Sequence, residues 1–195
     1  MTKIYIETLG CPKNWVESES ILGKLNNISL VTDPYEAETI IINTCSFLNE
    51  SRKEAIDIIL QLAQLKKKGK CTNLVVAGCL VESHESELTK ELHEVDLFCT
   101  PERVGELINL IHPNEKLSYH NNKLKSISEA SNNRRFLLQT HGSNYLKIAE
   151  GCNHSCTFCT IPQFKGRLKS RSVEELVSEA KYIISNGISE INLVA

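Results

Sequence analysis

Hydrophobic and polar positions in the first half of the chain alternate between two periodicities. Residues 3–8, 28–31, 39–43, 74–77 and 97–99 are short apolar runs and predict strands. Ile40, Ile41 and Ile42 in succession predict a strand covered on both faces, as in parallel sheets. Between these runs, residues 50–68 place Ala55, Ile58, Ile59, Leu62 and Leu65 on one helical stripe. Lysines gather at the end of that stretch, where cations complement the helix dipole. Further helices are predicted over residues 14–25, with Asn14 and Glu17 as a capping start, and over 86–92 and 102–111. Asp33 and Pro34 open a turn, and 97–99 reads as an edge strand. Strand and helix in alternation predict an α/β domain with a mostly parallel sheet over residues 1–112.

The periodic pattern lapses over residues 113–144, where asparagines mix with lysines and serines, so this stretch reads as a linker. A hairpin around residues 136–138 is the one regular feature expected in it. Pattern resumes with a strand at 145–150, a helix opened by the Ser172/Glu175 capping box and closed at Gly187, and a strand at 190–195. Strand, loop, helix and strand make one βαβ unit, which cannot close a barrel alone. Residues 145–195 therefore read as the start of a second domain, and the chain as an inactive fragment of a longer protein.

Composition narrows the classes. With 195 residues, 41% hydrophobic and 24% charged, the chain has a globular profile. A net charge of -2 gives no overall pull toward nucleic acid or anionic membranes. No apolar run approaches the ~20 residues of a membrane span. Lys3 and Glu7 interrupt what would be the core of a secretory signal. These features predict a cytoplasmic protein without a membrane partner, and in a reducing cytosol eight cysteines point to metal binding or catalysis rather than disulfides.

The cysteines form two constellations. Cys152, Cys156 and Cys159 stand in a C-x3-C-x2-C pattern directly after a predicted strand. Thiolates are soft ligands suited to iron–sulfur clusters, and three of them on a four-iron cube leave one iron open for a small molecule. The competing reading is a zinc site with His154 as fourth ligand, although no second cysteine or histidine pair completes a zinc knuckle. Cys11, Cys45 and Cys79 are separated by 34 residues at each step, and one or two residues lie between each and the predicted strand before it. Parallel strands put their C-terminal ends on one sheet edge, so these thiols can converge. The alternative is three core cysteines. Cys71, in a polar stretch, reads as a thiol without a role, and Cys99 as a weak rival ligand.

The C-x3-C-x2-C spacing resembles the signature of the radical S-adenosylmethionine superfamily. Joined to three dispersed N-terminal cysteines, it resembles the methylthiotransferase family. The motifs run the length of the chain: Leu9-Gly10-Cys11-Pro12-Lys13-Asn14, Asn43-Thr44-Cys45, Ala77-Gly78-Cys79, Leu146-Lys147-Ile148-Ala149-Glu150-Gly151-Cys152, Ile161-Pro162, Lys165-Gly166 and Ser170-Arg171-Ser172. Pro12, where tRNA-modifying relatives carry Gln, resembles the branch that modifies a ribosomal protein. The sequence departs from relatives after Cys79, where Glu82, Ser83 and His84 stand.

The resemblance implies a parallel-sheet methylthiotransferase domain followed by the first βαβ unit of a partial (β/α) barrel. It implies two 4Fe-4S clusters, an auxiliary one on Cys11, Cys45 and Cys79 and a radical-generating one on Cys152, Cys156 and Cys159. It further implies S-adenosylmethionine, with Phe158 in an aromatic position beside it. One centre generates a radical and the other presents sulfur. The implied reaction is methylthiolation of an aspartate β-carbon in small-subunit ribosomal protein twelve by a monomer, with electrons from a flavodoxin- or ferredoxin-type donor. Two alternatives remain: the same chemistry on a tRNA adenosine, and a two-cluster electron carrier, which would usually supply four cysteines per cluster. Lys165, Arg167, Lys169 and Arg171 alternate in a way that predicts four cations along one side of an extended segment, by default a solvated face. The six histidines show no paired ligand spacing.

Overall fold

A computed structural model describes residues 1–100, 103–112 and 135–195. Among them, β1 (Thr2–Thr8), β2 (Ile28–Leu30), β3 (Thr39–Thr44), β4 (Asn73–Gly78) and β5 (Leu97–Cys99) form one parallel sheet in the order β2-β1-β3-β4-β5. The chain moves outward in one direction from β1 to β2 and in the other from β1 through β3 and β4 to β5. The order thus reverses between β1 and β3, and crevices at such points are where open α/β sheets bind ligands.

The alternation along β3 explains the layering. Ile40 and Ile42, with Leu74 and Val76 of β4, face one side. There they meet Ala55, Ile59 and Leu62 of α2 (Asn49–Ala63) and Leu80, Val81 and Leu88 of α4 (Cys79–Glu91). Ile41, Ile4 and Val75 face the other side, against Leu22 of α1 (Pro12–Gly23) and Leu107, Ile108 and Ile111 of α5 (Val104–Ile111). Fully burying each such side chain contributes roughly 1.5–3 kcal/mol. Both faces of β3 are covered and β5 lies at an edge, as the apolar runs predict.

Several local expectations are corrected. The 50–68 helix breaks at Gln64 into α2 and a one-turn α3 (Leu65–Lys68). Asn14 does not cap α1, which starts at Pro12, a residue pre-set for the first turn; Asn14 is buried instead. The helix expected over 86–92 begins seven residues earlier, at Cys79, and is kinked at His84.

Of the expected linker, residues 113–134 lie outside the described residues. Residues 136–138 form no hairpin. The Phe136 N–H donates to Glu19 O at 3.0 Å and the Leu138 N–H to Glu19 Oε1 at 2.8 Å, so this segment is stitched to α1. The 145–150 strand divides into β6 (Ser143–Lys147) and β7 (Ala149–Glu150). β6 pairs in parallel with β9 (Glu190–Val194), and α7 (Val173–Ser185) crosses between them. This is the expected βαβ unit, and the Ser172 hydroxyl caps α7 by accepting from Glu175 N at 3.2 Å. β7 pairs antiparallel with β8 (Lys169–Ser170) and closes the cysteine loop, which contains the short α6 (Ile161–Phe164).

Arg135 joins the two units. Its guanidinium donates to Glu19 of α1 at 2.6 Å, Glu179 of α7 at 2.8 Å, Asn144 Oδ1 at 2.9 Å and Tyr145 O at 2.7 Å. Arg135 is 5% exposed and Glu19 is fully buried.

Candidate metal centre

Cys11, Cys45 and Cys79 follow β1, β3 and β4, three neighbouring strands of the sheet. Thr44 pairs with Gly78, so Cys45 and Cys79 stand side by side at the next register position. Neighbouring strands lie ~4.8 Å apart, which sets the scale of the cysteine spacing. Cys11 caps α1 through its backbone, and Cys79 opens α4.

Two glycines let the loops close on one another. Gly10 has φ +98°, and a Cβ there would lie 2.4 Å from Cys45 Cβ and 3.1 Å from its sulfur. Gly78 has φ +92°, and a Cβ there would strike Asn43 Oδ1 at 2.3 Å and Thr44 O at 2.4 Å. Only a residue without a side chain fits either position, in space and in dihedral.

A buried polar web backs the three loops. Asn14 Nδ2 donates to Thr44 O at 2.8 Å, while its Oδ1 accepts from the Cys11 thiol at 3.2 Å. Asn43 Nδ2 donates to Asn14 O at 2.7 Å and to Ser18 Oγ at 3.0 Å. The Ser83 hydroxyl contacts Ser46 Oγ at 3.1 Å and donates to Cys79 O at 2.8 Å, linking the residue after Cys45 to the Cys79 turn. Asn43 is a polar residue at a position the strand pattern makes interior, and such groups persist in cores only when satisfied. Ser83 lies exposed on α4, where periodicity gives no sign of its contacts.

The second set lies on the loop between β7 and α6. The Cys152 N–H donates to Gly166 O at 3.1 Å, Asn153 Oδ1 accepts from Leu168 N at 3.1 Å, and the Cys159 N–H donates to Cys156 O at 3.1 Å. Cys156 is exposed, Cys152 and Cys159 are half-buried, and Phe158 is 88% exposed. His154 meets Cys152 Sγ through its backbone N–H, at 3.4 Å.

None of the eight cysteines is in a disulfide. Among the described residues, no three or more His, Cys, Asp or Glu side chains gather as ligands to a single metal ion. The donor set instead suits a cluster, because a cube takes each thiolate on a different iron and so holds its sulfurs further apart. Three thiols on adjacent strand ends, separated by glycine cradles, fit that requirement. Cys71 and Cys99 are buried, Cys71 in the α2 and α4 layer and Cys99 within β5 rather than beyond it. Burial pushes the Cys71 thiol above its ordinary value.

Between the two sets lies a buried ionic cluster, where the expected row of cations breaks down. Lys165 is 11% exposed rather than solvated. Its Nζ donates to Glu82 Oε1 at 2.9 Å and lies 2.8 Å from Oε2, 3.5 Å from Glu17 Oε1 and 3.4 Å from Glu150 Oε1. Lys147 contacts Glu17 at 3.2 Å and Glu150 at 2.8 Å. Arg171 folds onto Glu179 at 2.6 Å and Lys147 O at 3.0 Å. The alternation fails because only Lys169–Ser170 is a strand, and Gly166 turns the backbone at φ +70°.

Burial pushes the Cys79 thiol up to about 12, with Lys165 pulling the other way and Glu17, Glu82 and Cys45 adding to the rise. Burial would lower the Lys165 ammonium, but Glu17, Cys79, Glu82 and Glu150 outweigh it and hold it above its ordinary value. Burial likewise raises the Glu82 carboxyl against the pull of Lys165. For Glu150 burial is overcome by Lys147 and Lys165, which hold it below the ordinary carboxylate value.

Comparison with known proteins places both halves. A family model described as uncharacterized protein family UPF0004 matches residues 3–100, and the radical SAM superfamily model matches residues 146–195. The chain is 41% identical over 198 residues to the ribosomal protein uS12 methylthiotransferase RimO of Campylobacter jejuni (strain RM1221), an alignment covering 100% of this chain and 43% of that protein. It is 39% identical over 196 residues to the protein of that name from Anaeromyxobacter sp. (strain Fw109-5), covering 100% of this chain and 42% of the relative. The Sulfurihydrogenibium sp. (strain YO3AOP1) protein is 39% identical over 195 residues, covering 99% and 42%. The chain thus spans less than half the length of these curated relatives.

Proposed function

This chain belongs to the radical S-adenosylmethionine methylthiotransferase family, and from that membership we propose that the whole protein inserts a methylthio group at the β-carbon of an aspartate in ribosomal protein uS12. In this reading Cys11, Cys45 and Cys79 hold an auxiliary 4Fe-4S cluster, and Cys152, Cys156 and Cys159 hold the cluster that binds S-adenosylmethionine. When bound, these groups supply a one-electron reductant, a radical source and a source of sulfur. Phe158 flanks the bound S-adenosylmethionine, residues 1–112 form the methylthiotransferase domain and 145–195 the start of the radical domain, and the protein works in the cytoplasm as a monomer fed by a flavodoxin- or ferredoxin-type donor. No helix of the described residues is long and apolar enough to cross a membrane.

The observation that supports this most is that Cys11, Cys45 and Cys79 share one edge of the sheet, with Cys11 and Cys45 on either side of the strand-order reversal. This chain's own residues prepare the site. Gly10 and Gly78 admit the close approach of the three loops, and the Asn14–Asn43 web holds the Cys11 and Cys45 backbones in place. Cys79 is half-buried at the start of α4. The Gly166 carbonyl and Asn153 brace the triplet loop.

The test is anaerobic reconstitution of the full-length protein followed by iron analysis and incubation with uS12. About eight irons per chain and a methylthio mass shift on a uS12 aspartate are expected. Iron on one cysteine set alone, or modification of tRNA instead, would overturn it.

A further inference from the structure

The buried ionic cluster lies between the two cysteine sets and is joined to both. Glu82 lies three residues after Cys79 on α4, and Glu17 six residues after Cys11 on α1. Both carboxylates converge on Lys165, six residues beyond Cys159. The next residue, Gly166, accepts through its carbonyl from the N–H of Cys152. A continuous path therefore runs from Cys79 through α4 to Glu82, across the 2.8–2.9 Å contact to Lys165, and through Gly166 to Cys152.

Stability does not explain this arrangement. Two cations, Lys147 and Lys165, meet three buried or half-buried carboxylates, Glu17, Glu82 and Glu150. Replacing such a cluster with well-packed apolar groups is often neutral or stabilising. What an apolar contact lacks is direction. A lysine carries a compact charge with three donors, and here it faces carboxylates from α1, α4 and β7 at once.

We propose that Lys165, through Glu82 and Glu17, is a positioning residue that sets the separation and orientation of the two cysteine centres, so that a radical formed at one is used at the other. The proposal rests on the two-centre reading above and adds the device that couples the centres. Lys165 acts through the carboxylates of Glu17, Glu82 and Glu150. Its side chain holds the Cys79 helix while its backbone neighbour holds the Cys152 loop.

The test compares Glu82→Gln, Lys165→Met and Lys165→Arg in the full-length reconstituted protein. Iron content, 5′-deoxyadenosine formed per methylthiolated product, and the magnetic interaction of the two reduced centres in electron paramagnetic resonance are measured. Glu82→Gln and Lys165→Met should keep wild-type iron, weaken the magnetic interaction, and waste about tenfold more 5′-deoxyadenosine per product, since ~1 Å of misplacement can cost ~100-fold. Lys165→Arg should recover part of both readouts. Glu82→Gln nearly keeps side-chain volume, so it reports even where Lys165→Met does not fold. An unchanged product ratio and magnetic interaction in both variants, or loss of iron from either, would overturn the proposal.

A second arm uses metal-free protein and needs no iron. Glu82→Gln should speed hydrogen exchange at the Cys152 amide together with the first turn of α4. Faster exchange confined to α4 would show that the path does not exist. If wild type binds iron on one set alone, the two-centre reading fails while this arm still decides the link.

Discussion

Arg135 and Glu19, separated by 116 residues of chain, meet at 2.6 Å, with Glu19 fully buried and Arg135 buried around it. Removing one partner of such a pair leaves a buried charge without compensation, a loss of about 3–5 kcal/mol. Arg135→Ala should therefore lower the thermal midpoint sharply, with the loss read by urea titration. The double variant Arg135→Met/Glu19→Leu should recover part of it, because the two charges leave together while Glu179 keeps Arg171 and the Leu138 N–H loses its acceptor. Equal stability of Arg135→Ala and wild type would show that the pair does not form.

Gly78 offers a test of the glycine cradle. A left-handed residue with a Cβ costs about 1–2 kcal/mol before any clash, and here the added carbon would meet Asn43 Oδ1 at 2.3 Å. Gly78→Ala should destabilise the chain by more than that and reduce iron on the Cys11, Cys45 and Cys79 set. Iron on the triplet should remain. Normal iron on both sets would contradict the cradle.

The two cysteine sets should load independently. Triple replacement of Cys152, Cys156 and Cys159 by Ala should leave about four irons per chain, as should replacement of Cys11, Cys45 and Cys79. Cys71→Ala and Cys99→Ala, at buried positions, should change stability without changing iron. Loss of iron in either single variant would reassign the ligands.

Alkaline stability follows from Cys79 and Tyr5. Burial raises the Cys79 thiol from 9.0 to about 12. Burial and the Glu7 carboxylate, whose oxygen accepts from the phenol, raise Tyr5 from 10.0 to about 12. Both groups hold their proton more tightly folded than unfolded. Their contribution is intact below about pH 9 and is lost as pH rises through about 12. In metal-free protein the urea midpoint should fall across that window. Cys79→Ala should remove the part that begins near 9, and Tyr5→Phe the part that begins near 10. A midpoint that rises above pH 9 would contradict both assignments.

What the chain's linear pattern determined was the α/β alternation, the positions of Cys11, Cys45 and Cys79 just past strands and the βαβ unit from residue 145. These follow from periodicity and local turn chemistry, which act over a few residues: Ile40–Ile42 must be buried on both faces, and Ser172 can cap a helix wherever it lies. Strand order was open, and only the tertiary structure set β1, β3 and β4 side by side and turned three cysteines 34 residues apart into one edge. The same holds for Lys165. In the alternating run from Lys165 to Arg171 it reads as one solvated cation among four. Its burial is decided by Glu17, Glu82 and Glu150, which come from α1, α4 and β7 and meet it only once both units are packed. Long-range electrostatic partners leave no periodic trace, because the energy that pairs them depends on distance in space and not on spacing along the chain.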